Sequence, residues 1–250
     1  SPFQTKVWWA KNYKSLNNKK YQNRKSNNVN KNKNKKFSQY RKWSFGTLNI
    51  RTGKENDDGV KIYSIAKEMS KTELQFLLLQ EVRWKGNGNK IIELDDGDKF
   101  QFYWSGFERK REAGVGILVR INNYIEIDTP DFNNPRVMGM NIKVHGFNLR
   151  VVNVYSPTEC DGTEEQKNVF YSNIKKASKK QFKHQKLLIA GDFNATTGIA
   201  KFKSNYNGSN VILDRSCNDN GQRLKQLCRS EHLSISSTFF KHRIFHRYSW

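Results

Sequence analysis

Residues 187–198 read LLIAGDFNATTG, an apolar run that passes without a break into an acid and an amide, Asp192 and Asn194. Taking a bare polar group out of water costs several kcal/mol unless it finds a partner, so a buried run with such an ending demands an explanation. The pattern recurs along the chain. FLLLQE (76–81) ends in Glu81, FGTLNI (45–50) carries Asn49, and VVNVYSP (151–157) carries Tyr155. Several of these runs are apolar throughout rather than alternating, which implies sheets covered on both faces. Helix-spaced stretches lie between them, so the fold class is α/β, built as a sandwich.

Strands are expected at 45–50, 76–80, 100–104, 114–120, 137–144, 148–155, 187–191 and 233–239. In VKIYSIAKEMSKTEL (60–74), Ile62, Ile65, Ala66 and Met69 fall on one helical stripe. Thr163 to Gln166 (TEEQ) is a capping box, with Phe170, Ile174 and Ala177 at helical spacing behind it. A third helix follows Asn220, with Leu224, Leu227 and Cys228 on one face, and there Asn220 suits the N-cap.

The chain has 250 residues, 36% of them hydrophobic, enough for one sizeable core. Its formal charge of +22 is unevenly spread: 13 Lys or Arg and no Asp or Glu fall between Ser1 and Phe45. NNKKYQNRKSNNVNKNKNKK (17–36) has almost no apolar content and cannot offset the entropy of ordering it. Residues 1–42 therefore read as a disordered basic arm and 43–250 as the folded domain. Trp8, Trp9, Tyr13 and Tyr21 interleave with the charges, a mixture suited to a phosphate backbone and stacked bases, although an A-rich gene would also encode such a Lys/Asn tract. Cys160, Cys217 and Cys228 are an odd number without CxxC spacing, which argues against a disulfide framework or a zinc site. No apolar run approaches the ~20 residues of a membrane span, so the expectation is a protein without a membrane partner, nuclear or otherwise intracellular.

Asp192 and Asn194 are two apart and would share a side in an extended segment. Carboxylate and amide oxygens suit Mg²⁺, and Glu81 and Asn49 are candidates for the same ion. Each also has a plain alternative, since a strand-end Glu is often solvated and Asp-Phe-Asn is a good turn.

Taken in order, LNIRTG (48–53), LLLQEVRW (77–84), GVGILV (114–119), VVNVYSPTE (151–159) and LIAGDFNATTG (188–198) resemble the endonuclease/exonuclease/phosphatase superfamily. The likeness is greatest to the endonuclease domains of non-LTR retrotransposons and their domesticated relatives, including the craniofacial development protein 2-like group. It covers about residues 44–250 and rests on the ordered set of five motifs, any one of which would be weak.

The resemblance implies a four-layer α-β-β-α sandwich of the deoxyribonuclease I type that nicks DNA with Mg²⁺ (or Mn²⁺), as a monomer. Asn49 and Glu81 match the family's metal-side residues, and Tyr155 the tyrosine at the scissile phosphate. Asp192 and Asn194 match the acid and amide that position the attacking water and stabilise the transition state. NDNGQRLKQLCRSEHLSISSTFF (218–240) is similar to the retrotransposon subgroup, where Asn220 could approach DNA. Lys241, Arg243 and Arg247 suit a basic loop on DNA.

The family continues beyond the motif matched by Tyr248, Ser249 and Trp250 into Q-I-D and S-D-H motifs, which this sequence lacks. The expectation is thus a domain missing its last two strands and the catalytic His, with His232, His242 and His246 poor substitutes. Two alternatives to a DNA endonuclease stay open: a catalytically weak remnant that binds nucleic acid, and the same fold acting on a small phosphodiester, which the charge disfavours.

Overall fold

The computed structural model describes residues 6–9, 44–51, 59–132, 134–144, 147–179, 185–198 and 216–239. Two sheets form the centre. The first has six strands: β1 (Lys6–Trp9), β2 (Ser44–Asn49), β3 (Phe76–Gln80), β4 (Asn87–Glu93), β5 (Lys99–Ser105) and β6 (Val115–Arg120), ordered β1-β2-β3-β6-β5-β4. The second comprises β7 (Ile125–Ile127), β8 (Val137–Val144), β9 (Phe147–Tyr155) and β10 (Lys186–Asp192), ordered β10-β9-β8-β7. Helix α1 (Val60–Ser70) links the parallel pair β2 and β3, and α2 (Glu164–Ala177) links the parallel pair β9 and β10. Helix α3 (Asp219–Ser230) follows.

The apolar strands divide their residues between two layers, as a period of two requires. Phe76 and Leu78 of β3 join the core between the sheets, where they meet Met138, Met140 and Ile142 of β8. Leu77 and Leu79 point the other way, into the core under α1 with Ile62, Ile65, Ala66 and Met69. Likewise Leu149 and Val151 of β9 face the first sheet, while Val152 and Val154 pack beneath Phe170 and Ile174 of α2 and Leu227 of α3. The result is the four-layer α-β-β-α sandwich expected from the sequence.

Both halves of the capping box at α2 are present: the Gln166 amide donates to Thr163 Oγ1 at 3.2 Å and the Thr163 amide to Gln166 Oε1 at 3.1 Å. Elsewhere the structure departs from the expectation. β4 and β7 are additional strands at sheet edges; with one side open, β4 buries only Ile92 and so carries no apolar run to betray it. Lys6–Trp9, expected within the arm, pairs as β1 with the open edge of β2; the rest of 1–42 lies outside the described residues. Residues 233–239 form a 3₁₀ turn at Ser236–Thr238 instead of a strand. There the Thr238 hydroxyl donates to Ile235 O at 2.6 Å, a local bond that competes with a ladder. The N-cap of α3 is Asn218, not Asn220, because the Asn218 side chain is the one that accepts from the Gly221 amide. Among the described residues no helix is long and apolar enough to cross a membrane.

Candidate active site

Parallel strands end side by side, and the carboxyl ends of β2, β3, β9 and β10 supply one polar cluster. Asn49 closes β2 opposite Gln80 of β3, and Asp192 closes β10 opposite Tyr155 of β9. The Asn49 amide nitrogen joins the two sheets: it donates to Glu81 Oε1 at 2.7 Å and to Asp192 Oδ2 at 3.2 Å. Behind the cluster, Gln80 donates to Asn153 Oδ1 at 2.7 Å, while Asn153 donates to Leu79 O and Gly116 O. The polar layer is therefore anchored in the buried floor between the sheets.

Glu81 reaches its place by a backbone turn. Strict alternation after Gln80 would aim it toward the α1 face, but its φ is +54°, in the left-handed region. That conformation ends the alternation and brings its carboxylate to Asn49. The following segment is held by Val82 N–H to Gly114 O at 3.1 Å and Arg83 N–H to Ala113 O at 2.9 Å. Backbone strain of this kind, worth about 1–3 kcal/mol, clusters at functional sites.

The extended geometry expected for Asp192 and Asn194 does not occur. The strand stops at Asp192, whose Oδ1 accepts the Asn194 amide at 3.0 Å, and Asn194 has a φ of +45°. The turn and the site are one feature. Asn194 Nδ2 donates to Ser156 O at 2.9 Å, and the Ser156 amide donates to Asp192 O at 2.8 Å, so the loops after β9 and β10 are laced together. Gly191 is required by packing: a Cβ there would sit 2.0 Å from Val154 O.

Glu81 Oε2 accepts from Arg83 Nη2 at 2.6 Å. Burial pushes the Glu81 carboxyl up, but hydrogen bonds from Asn49, Arg83 and Tyr155 outweigh it and hold the group below the usual carboxylate range. Tyr155 shows the converse. Burial, the Glu81 charge and the hydrogen bond to it push its phenol up to about 12, against the opposing charge of Arg136. The Arg136 guanidinium lies 5.3 Å from the Tyr155 ring centroid, a cation–π distance, and Nη1 donates to Tyr155 O at 3.4 Å. Arg83 and Arg136 carried no sequence signal, since a charge outside a periodic run looks like ordinary surface.

The carboxylates of Glu81 and Asp192 meet at the Asn49 amide nitrogen and form no closed cage, while Asn49 Oδ1 accepts from the Arg51 amide at 3.3 Å. Among the described residues no group of three or more His, Cys, Asp and Glu side chains converges as a metal site. Two carboxylates in an open cluster could hold a divalent ion that keeps much of its water.

Asn220 is fully buried. Its amide donates to Pro157 O at 2.9 Å and accepts from Ser156 Oγ at 3.2 Å, so it presents no surface to DNA. Lys241, Arg243 and Arg247 lie outside the described residues, as do His242 and His246. His232, the one histidine among the described residues, is exposed beyond the far end of α3. The Asn218 cap touches the Asn194 loop, which places His232 about 18 Å away along a helix of 12 residues.

A four-layer sandwich with a carboxylate–amide–phenol cluster at its parallel strand ends defines a class of hydrolase scaffold. Residues 46–233 match the Endonuclease/Exonuclease/phosphatase family, and the chain belongs to it. Among characterised proteins it is 26% identical over 208 residues to craniofacial development protein 2 of Bos taurus, covering 83% of this chain and 33% of the relative. The Tragulus javanicus protein of the same name matches at 26% over 208 residues, covering 83% and 34%. The chain thus spans about a third of the length of these relatives. Among solved structures, the endonuclease domain of TRAS1, a telomere-specific non-LTR retrotransposon, aligns with a TM-score of 0.47 at 16% identity, over 75% of this chain and 70% of that one. A 3'-5' exonuclease from Neisseria meningitidis aligns at 0.41 and 21%, over 62% and 59%.

Proposed function

We propose that the chain is a Mg²⁺-dependent phosphodiesterase of endonuclease type, retrotransposon-derived, that nicks DNA. The observation that carries this reading is the single amide of Asn49 bonded to both Glu81 and Asp192, which gathers two carboxylates from separate sheets at one point. The formal charge of +22 favours a polyanionic substrate.

Glu81 would hold the ion together with Asn49, whose amide would turn to present Oδ1, and the ion supplies charge neutralisation at the phosphate when bound. Asp192 is placed to accept a hydrogen bond from the attacking water and take its proton, with Oδ1 steadied by the Asn194 amide. The Tyr155 hydroxyl, which donates its one proton to Glu81 in the free protein, would turn that proton to a phosphate oxygen when substrate is bound. As the water oxygen bonds to phosphorus, the bond to the leaving oxygen breaks and that oxygen takes a proton from solvent. The formal charge of +22 also fits a second reading, a module that binds nucleic acid without cutting it.

Conversion of supercoiled plasmid to nicked circle tests the proposal. Nicking in Mg²⁺, lost in chelator and in Asp192→Ala, is the expected result. Nicking that survives Asp192→Ala overturns the site, and tight binding with no nicking selects the binding module.

A further inference from the structure

The cap and first turn of α3 hold two asparagines, Asn218 and Asn220, whose side chains bond to the loops that carry the polar cluster. Asn218 Oδ1 accepts from the Thr196 amide at 2.8 Å and from the Gly221 amide at 2.8 Å, and its Nδ2 donates to Asn194 O at 2.9 Å. One side chain therefore caps the helix and grips both sides of the loop after β10. Asn220 grips the other loop, after β9. Its side chain bonds Ser156 and Pro157, and its backbone amide donates to Glu159 Oε1 at 2.9 Å.

The helix start sits against the β10 loop so closely that a Cβ on Gly221 would lie 2.0 Å from Thr196 O. Only glycine permits that approach. An N-cap alone needs one acceptor oxygen. The extra donor on Asn218 and the complete burial of Asn220 are surplus to capping, and both are spent on backbone carbonyls of the two loops.

We propose that the Asn218-Asp219-Asn220 turn is a clasp that sets the position of the Asp192/Asn194 loop relative to the Tyr155 loop. Asn218 and Asn220 are positioning residues: neither touches the cluster's reacting groups, and each acts through backbone it holds. Asn194 is the point of transmission. Its carbonyl is held by Asn218, its side chain by Ser156, and its amide steadies Asp192. Releasing the Asn218 contact lets the left-handed turn at Asn194 relax, so Asp192 loses its fixed aim. A displacement near 1 Å at such a group costs on the order of 10²-fold in turnover.

The inference rests on the functional reading above, and its test has one arm independent of cleavage. Asn218→Asp keeps the capping oxygen but replaces the donor with a second acceptor facing Asn194 O. Asn218→Ser keeps a capping oxygen and removes the Nδ2 that reaches Asn194 O, without adding charge, its shorter hydroxyl being used by the cap. In both, the Asn194 amide should exchange with deuterium about 10-fold faster or more, while amides in the β9–β10 ladder and the melting temperature stay close to wild type. In the nicking assay the same variants should lose about 10- to 100-fold in kcat with KM for plasmid within about 3-fold.

Unchanged exchange at Asn194 in both variants overturns the clasp. So does faster exchange spread evenly over the whole sandwich with a matching fall in melting temperature, which would make the turn a stability element only. If the wild-type protein does not nick, that failure belongs to the functional reading, and the exchange measurement alone decides this one.

Discussion

A phenol beside a buried carboxylate is held in its protonated form, and Tyr155 beside Glu81 is such a phenol. With a folded-state pKa of about 12 against an ordinary 10.0, its stabilising contribution is complete below pH 10 and is lost as pH rises from there toward 12. Ultraviolet titration of the wild type minus Tyr155→Phe should therefore show the phenolate absorbance appearing near pH 12. A difference curve centred near 10 would mean that Tyr155 is neither buried nor bonded to Glu81. At this scale the sequence was partly legible. Asn49, Glu81, Tyr155 and Asp192 stood out because each interrupts an apolar run, where an unpaired polar group is costly. Arg83, Arg136 and Asn218 did not stand out. Their importance comes from a left-handed turn, a ring contact and a loop approach, none of which leaves a periodic trace.

Strand β9 shows how one element serves two layers and a site at once. Its odd positions Leu149 and Val151 fill the inter-sheet core, and Asn153 continues that face as a polar residue with no exposed surface. It donates to two backbone carbonyls of the first sheet and accepts from Gln80 Nε2, tying β3, β6 and β9 together below Tyr155. Asn153→Leu would fit the volume but strand those groups, at a cost of about 2–4 kcal/mol. A denaturant titration should show the midpoint falling with the slope unchanged; a loss below about 1 kcal/mol would show that water replaces the amide. The buried strands and the stripes of α1 and α2 were readable because burial on both faces or on one stripe imposes a pattern. The edge strands β4 and β7 escaped, since an open side relaxes that demand, and the 3₁₀ turn at Ser236–Thr238 escaped because hydroxyl bonding to nearby backbone is invisible to periodicity.

For the molecule as a whole, the two sheets are brought together by apolar packing and kept in register at one end by polar bonds: Gln80 to Asn153 in the floor and Asn49 to Asp192 at the mouth. The carboxylates that meet there repel one another and are offset by Arg83 and by the amide of Asn49, an arrangement suited to a further cation. Isothermal titration of Mg²⁺ into the metal-free protein and into Glu81→Ala asks whether that cation binds. Binding by the wild type that disappears in Glu81→Ala, with circular dichroism and melting temperature nearly unchanged, is the expected result. Equal Mg²⁺ binding by the two proteins, or none by the wild type, would contradict the assignment of Asn49, Glu81 and Asp192 as a metal-and-phosphate site.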